Sequence, residues 1–401
     1  MDILGYLVIL PISIYLVFNV VYLAIFAVAG WFGGGDDSPI KQPVSRIRRI
    51  AVLVPAYKED TVILESVQAN LRQLYPADSY DIYVIADSFR AETLEKLSHL
   101  PVKVLVVSFE ESTVQKSLTK ALERLPVGQY DIVVVSDADN HMAPDFLVRI
   151  NQAFDKGWRA VQGHRVAKNT NTSVAVFDAM NEEVLNHIYR GGQRALGLSS
   201  SLIGSGMAFE PATMRRLMGQ IRSVGGYDKE LEMLLLLEGI PIAYLKQALI
   251  YDEKVQNLEV FERQRTRWIA AQVHFVKLFF SEGIRQLFKG NMHAFNGLLK
   301  ALIVPRILFL AFLSFGTLVG LVIGNPPVFQ FFGVLLLTLV LTMLISIPGS
   351  LWQKISLRDL LTFPMLIFRM IRSLLKIKTA SKKFLHTPHG ESSHGSAGGS
   401  V

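Results

Sequence analysis

The chain has 401 residues, room for one large domain or two modest ones plus membrane segments, and its 50% hydrophobic content and mean hydropathy of +0.33 predict that some apolar mass faces lipid. A net charge of +7 and a pI near 9.4 leave nucleic acid, anionic lipid and anionic substrates open as partners, to be decided by where the cations fall. With no cysteine, disulfides, thiolate metal sites, a cysteine nucleophile and S-palmitoylation are excluded.

From Ile3 to Phe32 no residue is charged, a run long enough to cross the roughly 30 Å hydrocarbon layer, so residues 1–34 are read as an N-terminal transmembrane helix. Ala27-Val28-Ala29 mimics a signal-peptide cleavage site, but Met1-Asp2 supplies no positive n-region and the stretch is too long. The cations that follow, Lys41, Arg46, Arg48 and Arg49, put the next domain in the cytoplasm by the positive-inside rule.

Residues 45–272 alternate short apolar runs with helical patterns. Ile50 to Pro55, Asp81 to Ala86, Val102 to Val107 and Ile132 to Ser136 read as buried parallel strands, with helices over Val62 to Leu74 and Val114 to Leu125. The fold class is therefore α/β, in which ligands bind beyond the carboxyl ends of the strands. After the first strand comes Pro55-Ala56-Tyr57-Lys58-Glu59-Asp60, with neither a dinucleotide fingerprint nor a Walker loop, which argues against a dehydrogenase or P-loop NTPase. The second strand ends in Asp87 and the fourth in Asp137-Ala138-Asp139. Three acids at one ligand edge would repel a nucleotide diphosphate unless a hard cation, Mg²⁺ or Mn²⁺, bridged them; the alternative for the Asp-x-Asp is an ordinary surface loop.

Further along, Gly204-Ser205-Gly206-Met207-Ala208-Phe209 permits close backbone approach or makes a plain turn. Tyr227-Asp228-Lys229-Glu230-Leu231-Glu232 opens a leucine-rich helix ending at Gly239. Gln264-Arg265-Thr266-Arg267-Trp268 brings three chemistries into one and a half helical turns. Gln264 and Arg267 share a face and can both reach a diphosphate, for which Arg offers bidentate bonds. Trp268 offers a flat surface for a pyranose or fills a core.

Residues 273–300 read as an interfacial amphipathic helix, with packing on the soluble domain as the alternative, and 301–353 as a two-helix transmembrane hairpin broken at Gly324-Asn325-Pro326-Pro327. Basic flanks at Lys300, Arg306, Lys354 and Arg358 return the C-terminus to the cytoplasm. In 357–380, Arg369, Arg372 and Lys376 recur among apolar residues as a basic interfacial helix, again with packing on the domain as the alternative. The tail 381–401, with His389 and His394 among Ser and Gly, reads as disordered, not metal-binding. Cations gathered beside apolar segments, without a basic stripe interleaved with aromatics, argue for lipid and against nucleic acid.

In this order the motifs resemble the inverting family 2 glycosyltransferases of glycosyltransferase-A fold, in particular the membrane-embedded group with cellulose, hyaluronan and chitin-oligosaccharide synthases, over about residues 48–275. The resemblance implies a mixed, mainly parallel sheet with flanking helices. It assigns Pro55, Ala56, Tyr57, Glu59 and Asp87 to the nucleotide, Asp137 and Asp139 to diphosphate and metal, Gln264 and Arg267 to the leaving group, and Gly204, Ser205, Gly206 and Trp268 to the acceptor. Asp228 takes the matching position of the catalytic base, with Glu230 and Glu232 in reserve and a helix-capping role as the alternative. Lys58 stands where an Asn is common, and Tyr227 replaces the acid that usually precedes the base.

The implied activity is metal-dependent transfer from a nucleotide sugar, a UDP-sugar, to a growing polysaccharide or lipid-linked saccharide at a bacterial inner membrane. A single-sugar transfer to a polyprenyl or glycerolipid acceptor is the first alternative, and a catalytically inactive scaffold is the second. Three spans are few for a translocation pore, so homo-oligomers or partner subunits are the corresponding expectation.

Overall fold

The computed structural model describes residues 3–39, 46–223, 225–356, 359 and 361–376. The expected tail, together with Lys41, Arg358 and residues 377–380, lies outside the described residues.

Four parallel strands, β1 (Ile50–Tyr57), β2 (Tyr80–Asp87), β3 (Lys103–Val107) and β4 (Ile132–Val135), make half of an eight-stranded sheet. β1 and β4 are continuous apolar runs because both of their faces are covered. Along β1, Ile50, Val52 and Val54 pack with Ile63 and Val67 of α2 (Ile63–Asn70), while Ala51 and Leu53 pack with Leu118 and Leu122 of α4 (Val114–Arg124).

The other half uses β5 (His141–Met142), β6 (Ala160–Ala167), β7 (Met207–Phe209) and β8 (Ala243–Asp252), giving the order β3-β2-β1-β4-β7-β6-β8-β5. β7 runs antiparallel to both β4 and β6, and β6 pairs parallel with β8. The sheet is thus mixed and mainly parallel with helices on both sides, the glycosyltransferase-A-like fold expected. Its topology has a local consequence. Because β7 is antiparallel, Met207 pairs with Val135, so Gly204, Ser205 and Gly206 emerge beside Asp137-Ala138-Asp139.

Among the described residues two helices are long and apolar enough to cross a membrane: residues Leu7–Ala29 of α1 (Ile3–Ala29), and α13 (Pro326–Ile345). α12 (Arg306–Val322) has only 17 residues and counts towards a third span only together with α11 (Met292–Ala301), from which it is bent by 58°. Asn325, in the Gly-Asn-Pro-Pro break between α12 and α13, caps α13, its side chain accepting from Val328 N at 3.2 Å. α1 meets the catalytic domain at a π-helix (Asn186–Gly192) that continues α6 (Ser173–Leu185), where a Cβ on Gly192 would lie 2.0 Å from Phe26 O. His187 Nε2 lies 2.7 Å from Ala27 O in the same contact.

The two segments expected to be interfacial helices each pack one face on protein and leave apolar residues such as Phe280, Phe288 and Phe368 exposed. Residues 273–288 continue α10 (Leu258–Phe288), a single 31-residue helix, and Phe275 and Phe279 are buried with Met233, Leu236 and Ala294. The C-terminal helix (Thr362–Leu375) presents its cations to buried Glu262 of α10: Arg369 at 2.9 Å, Lys376 at 2.6 Å and Arg372 at 3.6 Å. An ionised carboxylate out of water needs such partners, which is why these cations face inward. Met365, Phe368, Ile371 and Leu375 of that helix are exposed instead.

Candidate active site

The Asp137–Asp139 turn is held from below. Asp137 N donates to Ser205 Oγ at 2.9 Å. With the Asn140 carboxamide oriented to satisfy its surroundings, its oxygen accepts from Ser205 Oγ at 2.7 Å and its nitrogen donates to Asp139 Oδ1 and Asp252 Oδ1, both at 3.1 Å. One buried amide therefore ties the Asp-x-Asp to the last residue of β8. Asp252 went unnoticed in the sequence, although it obeys the same rule as Asp87, an acid closing an apolar strand.

Asp137 and Asp139 line a cavity of about 470 Å³. Among the described residues no three His or acidic side chains converge as a metal cluster. Two carboxylates beside each other are still the donor set a hard cation takes when phosphate oxygens and water fill its remaining positions, so these residues fit Mg²⁺ or Mn²⁺.

Pro55, Tyr57 and Glu59 line the same cavity, whereas Ala56, Asp87, Ser205 and Gly206 do not. Asp87 is fully buried beside Tyr57, its pairing partner across β1 and β2. Its Oδ1 accepts from Ser88 Oγ at 3.0 Å, and its Oδ2 has no hydrogen-bond partner among the described residues. Lys58 and Ser88, which follow these two strands, both adopt left-handed backbone at φ 57° and 59°, strain of the kind that gathers at ligand sites. Ser205 serves the turn, while at Gly206, with φ +66°, a Cβ would lie 2.8 Å from Ile250 Cγ2. Of the three small residues only Gly204 reaches the cavity, where a Cβ would be 3.8 Å from Asp228 Oδ2.

Asp228 stands in the first turn of α9 (Tyr227–Leu237) on the cavity wall. It is not the cap, since Gly226 occupies that position at φ 74°. Burial raises the Asp228 carboxyl above its ordinary range, more than the charge and backbone N–H of Lys229 lower it. A carboxylate so placed is a stronger proton acceptor than a solvated one.

The two reserve acids have structural partners. Glu230 accepts from Arg222 N, Ser223 N and Ser223 Oγ, at 3.1, 2.9 and 2.6 Å. Glu232 accepts from Leu202 N at 2.9 Å and pairs with Lys300 of α11. Tyr227, standing for the missing acid, donates from its hydroxyl to Gly204 O at 2.8 Å.

Gln264, Arg267 and Trp268 of α10 line the opposite wall. Burial lowers the Arg267 guanidinium, against the attraction of Asp137 and Asp228, which line the same cavity. Gln264 Oε1 is buried without a partner among the described residues. Trp268 is not free on both faces, because the Arg265 guanidinium sits 4.1 Å from the ring centroid.

A buried ionic group behind Trp268 was not anticipated. Arg165 donates to Glu182 at 2.8 Å, Lys254 to Asp252 at 2.6 Å, and Arg265 pairs with Asp178. Burial opposes ionisation of Asp252, yet Arg165 and Lys254 outweigh it and hold that carboxyl below its ordinary value. Only Arg265 lies within a sequence motif, Gln264–Trp268; the others come from separate elements with no signal along the chain.

The model of the family described as "Glycosyltransferase like family 2" matches residues 48–271, more than half of the chain. Among curated proteins, a "Probable glycosyltransferase YdaM" of Bacillus subtilis is 23% identical over 249 residues, which cover 60% of this chain and 59% of that one. A "Beta-monoglucosyldiacylglycerol synthase" of Trichormus variabilis is 25% identical over 225 residues, 55% of this chain and 48% of that protein. The matches thus span less than two thirds of these relatives. The solved structure of a mannosyltransferase, PcManGT from Pyrobaculum calidifontis, in complex with GDP-Man and Mn2+, superposes with a TM-score of 0.55 at 17% identity, covering 91% of this chain and 98% of that one. The likeness in fold accompanies a family assignment that rests on sequence: the chain belongs to glycosyltransferase-like family 2.

Proposed function

We propose that this protein is a membrane-anchored, inverting glycosyltransferase that moves a sugar from a nucleotide donor, a UDP-sugar, to a lipid-borne acceptor. One observation carries the reading: a single cavity is lined by Asp137 and Asp139, by Asp228 and Arg267, and by Ile303, Val304 and Pro305 at the entry to the apolar hairpin. Donor chemistry and the membrane-proximal segment share one space. The β-monoglucosyldiacylglycerol synthases among its relatives are named for a glycolipid product, which agrees with this direction.

In this mechanism the Pro55–Glu59 segment receives the nucleoside, with Asp87, whose buried Oδ2 has no hydrogen-bond partner among the described residues, beside Tyr57. Asp137 and Asp139 would hold a divalent cation, Mg²⁺ or Mn²⁺, which would neutralise diphosphate charge. Arg267 and Gln264 give charge-assisted and neutral hydrogen bonds to the departing diphosphate. Asp228 takes the proton of the acceptor hydroxyl as its oxygen attacks the anomeric carbon opposite the leaving group, which inverts the configuration. Trp268, braced by Arg265, offers its remaining face to the acceptor sugar. The catalytic domain faces the cytoplasm, with Leu7–Ala29 as one span and the bent pair α11–α12 with α13 as a returning hairpin, which keeps the C-terminal helix on the same side as Glu262 of α10.

The test offers UDP-sugars to purified protein in nanodiscs with Mg²⁺ or Mn²⁺, with and without lipid extract, and follows UDP release and product mass. Lipid-dependent addition of one sugar supports the reading. A ladder of products would make the enzyme a polysaccharide synthase instead, and a folded protein inert with every donor would favour a scaffold.

A further inference from the structure

Five cations from five parts of the fold converge on the inner wall of the cavity: Arg165 of β6, Arg190 of the π-helix, Lys254 after β8, Arg265 of α10 and Arg306 at the start of α12. Three carboxylates face them. Glu182 takes Arg165 at 2.8 Å and lies 3.7 Å from both Arg190 and Lys254. Asp252 takes Lys254, and Asp178 takes Arg265. Among the described residues Arg306 donates to Asn181, to its Oδ1 at 2.6 Å and to its backbone oxygen at 3.4 Å. Asp137 also acts on Arg165, and Glu253 lines the same cavity, so the cluster's charge is close to balanced and Arg306 is the cation with no carboxylate in direct contact among the described residues.

The hydrogen-bonding capacity is unfilled. Nε of Arg165, Arg190 and Arg265 and Nη1 of Arg306 are buried without a hydrogen-bond partner among the described residues. A cluster serving only the fold would satisfy its donors, since an unmade buried hydrogen bond opposes folding. Four unfilled guanidinium donors against one unfilled acceptor, Glu182 Oε1, match a phosphate, which has several strong acceptor oxygens and is preferred by Arg. The π-helix that carries Arg190 is itself a rare form, found frequently at functional sites.

The cluster's position selects the source of the phosphate. Arg165 feels the charges of Asp252 and Asp137 at the donor end, while Arg306 opens the apolar hairpin beside Pro305 and Ile307, which also line the cavity. A lipid-linked saccharide has the matching order of sugar hydroxyl, phosphate and hydrocarbon. We infer that Arg165, Arg190, Arg265 and Arg306 form a subsite for the phosphate that joins lipid to saccharide in an anionic acceptor. The inference rests on the lipid-borne acceptor proposed above and names its charge.

The experiment measures binding to full-length protein in detergent by native mass spectrometry, using a polyprenyl phosphate, the neutral polyprenol of equal length, inorganic phosphate and UDP. The expected result is at least about tenfold preference for polyprenyl phosphate over polyprenol. Arg306→Gln abolishes that preference and Arg306→Lys retains much of it, with UDP binding and melting temperature unchanged in both. Arg265→Gln repeats the test from α10. Equal binding of the two lipids overturns the inference, as does inorganic phosphate binding as tightly as the lipid phosphate. Loss of UDP affinity in Arg306→Gln also overturns it by giving the cluster to the donor. Transfer to a neutral glycolipid without phosphate preference sinks the inference and leaves the transferase standing. Phosphate preference in a protein inert with every sugar donor upholds the anion site and sinks the transferase.

Discussion

A Cβ placed on Gly226 would lie 2.8 Å from Ala271 Cβ, so α10 presses directly against the turn that launches α9. This contact fixes Asp228 relative to Arg267, because each lies close to one side of it. Gly226 also has φ +74°, where an L side chain is strained. Gly226→Ala is expected to cost about 1–3 kcal/mol from conformation alone, with more from the clash, and to lower turnover more than UDP affinity. Thermal melts and kinetics with UDP titration would check this; an unchanged kcat would detach the contact from catalysis.

Asp228 yields a prediction in both activity and stability. Because burial raises its pKa, the rate should fall as pH drops through a value above the roughly 3.9 of a free aspartate. Asp228→Asn should lower kcat by about 10²–10⁴. The stability effect has the opposite sign. A carboxyl harder to ionise in the folded state than in the unfolded one destabilises the fold once pH exceeds the raised value, and the penalty fades as pH falls towards the unfolded value. At neutral pH Asp228→Asn should therefore melt higher than wild type, and near pH 4 the gap should shrink. A lower melting temperature at neutral pH would contradict this account.

The pair of Glu232 and Lys300 ties α9 to α11, with both side chains largely buried. Removing one member leaves a charge out of water, for which about 3–5 kcal/mol is typical. Lys300→Met should thus destabilise strongly, and Glu232→Gln with Lys300→Met should destabilise less than the sum of the single changes. Strictly additive melting shifts would mean that the two groups do not interact. Retention of measurable turnover by Glu232→Gln would separate this acid from the base at position 228.

The carboxylates at Asp137 and Asp139 predict metal dependence. Chelation should stop UDP release, and Mg²⁺ or Mn²⁺ should restore it. Asp139→Asn should raise the metal concentration needed for half-maximal activity by about tenfold or more, without altering the fold. Calorimetric titration of UDP with and without metal reads the same coupling directly, and full activity in the presence of chelator would rule it out.

Local chemistry made the first half of the fold legible. β1 to β4 are runs of Val, Ile and Leu bounded by turns, and the acids that end them mark the ligand edge whatever their partners. β6 and β8 escaped notice because AVQGHRVA and AYLKQALIYD mix polar residues into the strand, and β7 has only three residues. The basic residues of the C-terminal helix were visible as a pattern, but Glu262, which turns them inward, lies over a hundred residues away.

What the sequence determined by itself was whatever depends on neighbours along the chain: apolar length sufficient for a span, strands buried on both faces, and Asp228, Gln264, Arg267 and Trp268 as residues of matching chemistry. Only the tertiary structure decided what depends on neighbours in space. It made Ser205 a support for the Asp137 turn and Glu230 a staple for a loop, covered one face of Trp268 with Arg265, and joined Asp252 to Asp139 through Asn140. It also collected five cations from distant segments around one cavity. The physical reason is that hydrogen bonds and charge interactions act over a few ångströms regardless of chain separation, so their partners are set by how strands are ordered and helices crossed.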